Sequence, residues 1–132
     1  MIRLRLRSLI VVALMVAAPT PARASAAVLV SGPASSAAGF FTPAVVAAKS
    51  LPLTHVNADN GAQHNVQSIA YGPSSNPWCA GFAANRCPLF WSPLINFGET
   101  APVVGLGALT TGQTYAFKCV LHGAMTGTLV AV

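Results

Sequence analysis

Apolar and polar residues alternate in short runs along the chain, and turn-forming clusters separate the runs. Gln113–Cys119 places Tyr115, Phe117 and Cys119 on one face of an extended segment. His64–Tyr71 alternates in the same way, with His64, Val66, Ser68 and Ala70 on one face and Asn65, Gln67, Ile69 and Tyr71 on the other. Leu51–Val56 alternates more weakly and stops at Asn57-Ala58-Asp59-Asn60-Gly61, a strong turn cluster. Ala27–Ser31, Ala101–Val104 and Thr128–Val132 complete the short strands. Phe40–Ala47 is β-prone but contains Pro43, which suits a sheet edge or a bend. Ala34–Ala38 reads as loop, Leu109–Gly112 as a turn, and Gly123 and Gly127 as tight-turn glycines. Gly72–Pro93 is irregular, with four prolines and two cysteines. No window carries a helical period, so the pattern predicts an all-β fold, a β-sandwich of one domain without internal repeats.

The first residues belong to a different class. Met1–Arg7 is cationic, Ser8–Ala18 is an apolar run of 11 residues, and Pro19–Ala26 offers small residues at Ala22, Ala24 and Ala26. That is the build of a secretory signal over residues 1–24, cleaved after Ala24 or Ala26, ahead of a single domain over 25–132. The apolar run is well short of the ~20 residues of a spanning helix, so no membrane span is expected after its removal. The expected location is periplasmic or extracellular, with a thylakoid lumen a weaker option.

Charge changes the picture only once it is localised. The chain has 132 residues, a formal net charge of +5 and only 7% charged residues. Arg3, Arg5, Arg7 and Arg23 lie in the leader. Lys49, Arg86 and Lys118 then face Asp59 and Glu99, and three minus two leaves +1. A domain so nearly neutral has no basic stripe for phosphates, which excludes nucleic acid as a partner. Two carboxylates also leave little material for acid–base hydrolysis or an all-oxygen metal cage.

Three cysteines remain, and export favours a disulfide with one thiol left over. Cys79 and Cys87 bracket a short irregular stretch, and a bridge between them contributes about 2–3 kcal/mol by restricting the unfolded chain. The leftover thiol, Cys119, would be an oxidation liability unless something occupied it. It stands in Cys119-Val120-Leu121-His122-Gly123-Ala124-Met125, where thiol, imidazole and thioether follow at three-residue steps. Those soft and borderline donors suit copper, whereas zinc has little use for Met. His64, just beyond the turn cluster, supplies the second imidazole if the sandwich brings both segments to one pole.

On these residues the chain resembles the cupredoxins, the small blue copper proteins such as plastocyanin, pseudoazurin and amicyanin. The likeness rests on Phe40-Phe41-Thr42-Pro43, on Val56-Asn57-Ala58-Asp59 with His64-Asn65-Val66, and on Tyr115 through Gly127. It implies a Greek-key sandwich with ligand loops at one pole and one copper ion cycling between Cu(I) and Cu(II). It implies His64, Cys119 and His122 as equatorial ligands, Met125 as a weak axial ligand, and Asn65 as the residue tying the two ligand loops together. Two departures stand out. Leu121 replaces a Pro common between the Cys and the His, and 72–90 looks like an insertion. His55 sits where the family carries a large apolar residue and reads as a half-buried, hydrogen-bonded histidine. Trp78, Phe82, Phe90 and Trp91 read as packing under their own loop, with an exposed docking patch as the alternative.

The function expected is a one-electron carrier and not an enzyme, since a filled site has no open position for substrate. Its partners would be redox proteins docking transiently near His122 on a monomer. The alternative is a non-redox copper-delivery protein outside the cytoplasm.

Overall fold

The computed structural model describes residues 26–32, 40–42, 44–73, 75–83 and 85–132. The expected leader, the Ala34–Ala38 loop and Pro43 lie outside these residues. Among the described residues eight strands follow in order: β1 (Ala27–Gly32), β2 (Phe40–Phe41), β3 (Ala44–Ala47), β4 (Leu53–Asn57), β5 (Gln67–Ser68), β6 (Thr100–Val103), β7 (Thr114–Lys118) and β8 (Thr126–Ala131). They form two four-stranded sheets, ordered β2-β1-β4-β6 and β3-β8-β7-β5. The β-prone run around Pro43 is divided between them, since β2 edges one sheet and β3 edges the other. Each sheet is mixed: β1 pairs β4 in parallel, β3 pairs β8 in parallel, and the remaining pairings are antiparallel. No helix among the described residues is long and apolar enough to cross a membrane.

The core forms where the inward faces meet. Leu29, Phe41, Leu53 and Val103 come from the first sheet, and Val45, Phe117, Leu129 and Ala131 from the second. Phe90 fills the centre, with Phe117 edge-on at 6.3 Å between ring centroids, and Phe41 meets Phe117 at 5.1 Å. Burial of each such side chain is worth roughly 1.5–3 kcal/mol. Gly127 lies inside β8 and makes no turn, because a Cβ there would enter the Phe117 ring. Its role is close packing.

The inward face of the first sheet changes character along its length. The parallel pairing sets Leu29 beside His55 and Ser31 beside Asn57. The apolar end of the face therefore gives way to Ser31, His55 and Asn57, all buried. His55 is fully buried, where half-burial was expected, because two hydroxyls satisfy its ring: Ser31 Oγ at 3.0 Å and Ser92 Oγ at 3.2 Å. Burial lowers its pKa to about 4, and His64 pushes the same way.

The alternation of His64–Tyr71 is only partly realised. Gln67 and Ser68 alone join a ladder, and Ala70 is exposed as the chain turns aside to pair Tyr71 with Pro88. Within 72–90, a 3₁₀ turn at Pro77–Gly81 leads into the Cys79–Cys87 disulfide, with Cα atoms 5.3 Å apart. Trp78 Nε1 donates to Pro88 O at 3.1 Å, and Phe82 meets Trp91 edge-on at 5.9 Å. The aromatic cluster thus packs under its own loop, and Phe90 belongs to the main core. Gly105, at φ 99°, lets the backbone of Leu89 approach where a Cβ would collide.

Candidate metal centre

Two loops build the site, one leaving β4 and one leaving β7. The first is organised by Asn57, the last residue of β4. Its amide donates to Ala62 O and to Ile95 O, each at 2.9 Å, and its Oδ1 accepts the Asp59 N–H at 2.8 Å. Asp59 Oδ1 accepts the Gly61 N–H at 2.8 Å, which closes the turn that the Asn-Ala-Asp-Asn-Gly run announces. The chain then reaches His64, whose backbone exchanges two hydrogen bonds with Ile95, at 3.2 and 2.9 Å. That exchange holds the imidazole inside the molecule with no solvent contact.

The second loop closes on itself. The Cys119 N–H donates to Met125 O at 3.1 Å, and the Met125 N–H donates to His122 O at 2.8 Å. Cys119 and Met125 are buried and His122 is half-buried. Cys119 is the free cysteine, as expected. Asn65 joins the loops: its Oδ1 accepts the Val120 N–H at 2.8 Å across a separation of 55 residues. That bond turns Asn65 inward beside His64 and overrides the simple alternation of this segment.

The donor atoms of His64, Cys119 and His122 all lie within 4.8 Å of one another. Cys119 Sγ is 3.5 Å from His122 Nδ1, and the two imidazoles are 4.8 Å apart between centroids. His64 Nε2 contacts Asp59 Oδ2 at 2.8 Å, whereas His64 Nδ1 is buried without a hydrogen-bond partner. An orphaned ring nitrogen beside a buried thiol and a second imidazole fits a metal ion, because a buried polar atom otherwise needs a partner. One thiolate and two imidazoles, with a thioether in the same loop, are donors of the soft to borderline kind. His55 stays outside this group, with both ring nitrogens engaged by hydroxyls.

Asp59 was not among the residues singled out from sequence. The turn cluster was legible, but nothing in it announced that one carboxylate oxygen would reach an imidazole five residues on. Ser92 was equally hidden. It lies in the irregular segment and bridges His55 to the Val66 N–H, which it accepts at 2.9 Å.

No family model matches the chain, and neither does any curated protein sequence. Solved structures do match. A purple cupredoxin from Nitrosopumilus maritimus aligns with a TM-score of 0.55 and 22% identity, over 80% of this chain and 99% of that one. A reduced mutant of amicyanin aligns with a TM-score of 0.54 and 18% identity, over 85% and 87%. A second amicyanin mutant, in a reduced Cu(I) form, gives 0.54 and 17% identity, also over 85% and 87%. The chain has the cupredoxin fold.

Proposed function

We propose that this cupredoxin-fold protein is an exported one-electron carrier that holds one copper ion on His64, Cys119 and His122, with Met125 as a weak axial donor. The observation that carries the reading is the convergence of three donors within 4.8 Å around a buried His64 Nδ1 that has no hydrogen-bond partner. Bound copper supplies a Cu(II)/Cu(I) couple.

The chain's own residues do the rest. Asn57 and the Ile95 pairing hold the first loop rigid, and Asn65 fixes its distance from the second. Rigid donors suit electron transfer because little has to move when the metal changes charge. His122 is the donor nearest solvent, and its loop neighbours Val120 and Leu121 are 45% and 54% exposed. An imidazole edge in an uncharged apolar surround suits brief docking of small area. With the mature domain near +1, association should respond little to salt.

The test is colour. Cu(II) added to the protein should bind one-to-one and give an intense visible band from thiolate-to-copper charge transfer. Cys119→Ser should abolish that band while far-UV circular dichroism keeps the β signal. A coloured Cys119→Ser protein would overturn the assignment.

A further inference from the structure

Asp59 is one of only two carboxylates in the domain after the leader, and it is almost fully buried, at 3% exposure. A buried carboxylate is costly unless both oxygens find donors. Here Oδ1 takes the Gly61 N–H and Oδ2 takes His64 Nε2, each at 2.8 Å. An ionised carboxylate only accepts hydrogen bonds, so with Asp59 in that form Nε2 carries the proton in the contact. In the neutral ring Nδ1 is then the bare nitrogen. That is the atom left buried and unpartnered among the donor groups.

We propose that Asp59 is the positioning residue of the metal centre: its carboxylate holds His64 as the Nε2–H tautomer, offers Nδ1 to the metal, and favours the more highly charged ion. The proposal rests on the copper reading above. A carboxylate behind a ligating imidazole orients the ring and makes it more basic. The same negative charge, held in a water-poor interior, favours Cu(II) over Cu(I).

Asp59→Asn tests this because a single amide oxygen cannot serve both the Gly61 N–H and the His64 Nε2–H. If the oxygen stays on Gly61, the amide NH₂ faces Nε2 and favours a proton on Nδ1, where it competes with the metal. Relative to Cu(I), Cu(II) affinity should fall about tenfold, which for a one-electron couple is a rise of about 59 mV in reduction potential. A purely structural role would weaken both ions alike and leave the potential in place, and that result would overturn the proposal.

The second readout needs no copper. Nitrogen-15 NMR of the metal-free wild-type protein should find the His64 proton on Nε2. A proton on Nδ1 would overturn the proposal even if Asp59→Asn failed to fold. Because this measurement involves no metal, it separates failure of the Asp59 proposal from failure of the electron-carrier reading.

Discussion

His55 and His64 lie nine residues apart, and neither touches solvent. His55 sits in a strand, and hydroxyls on both sides satisfy its ring. His64 sits in a loop, with a carboxylate on one nitrogen and nothing on the other. Burial therefore does not mark a metal ligand. What separates the two rings is whether the protein completes their hydrogen bonding or leaves one lone pair for something else.

The contrast breaks most visibly by removing each ring in turn. On the electron-carrier reading, His64→Ala loses the copper band or shifts it far from wild type, because an equatorial position opens to water. His55→Ala keeps the band and instead costs about 2–4 kcal/mol of stability, as cavities in close-packed interiors do. Copper titration followed by absorbance, together with denaturant unfolding of both variants, checks the pair. Equal loss of copper in the two would erase the distinction.

The distinction sharpens with pH. The folded pKa of His55, about 4, lies below the 6.5 of a free imidazole. Between these values the unfolded chain binds the extra proton, so stability rises with pH across this window and is lost as pH falls through it. The contribution present above pH 6.5 is on the order of 3 kcal/mol. Unfolding free energies of the metal-free protein across that window should show the slope, and His55→Leu should flatten it. A slope unchanged in His55→Leu would assign the titration to another group.

The smallest expected effect belongs to Met125. It is as buried as His64, but on the electron-carrier reading its thioether would be only a weak donor. Met125→Leu conserves volume, so it should keep the colour, cost less than about 1.5 kcal/mol in stability, and raise the reduction potential modestly. Voltammetry beside a copper-affinity measurement decides this. If copper is lost as completely as in His64→Ala, Met125 is no weak ligand, and the copper-delivery reading moves ahead.

The sequence was most informative where chemistry and period are local. Tyr115, Phe117 and Cys119 follow the two-residue period of β7 and its exit, and Cys119, His122 and Met125 share one loop, so both could be read directly. His64 could be nominated only by its chemistry, because its meeting with Cys119 depends on the non-local pairing of β5 with β7. Asp59 and Ser92 were out of reach. The first acts through a single 2.8 Å contact, and the second reaches His55 across 37 residues from an irregular segment. The alternation of His64–Tyr71 misled at Ala70 because pairing with Pro88 pulls the chain off the sheet there.

The parallel pairing of β3 with β8 also has a consequence in time. Ala44 must find Thr128, while the Asn65–Val120 bond must span 55 residues. Neither contact rewards the chain until most of its loop entropy has been spent, and topologies of this kind fold in roughly milliseconds to seconds. Cys119 and His122 can meet early, within one loop, but His64 reaches them only once β5 has paired with β7. A metal that needs all three donors would then bind after that pairing, and the growth of its colour during refolding would mark the closing of β5 onto β7.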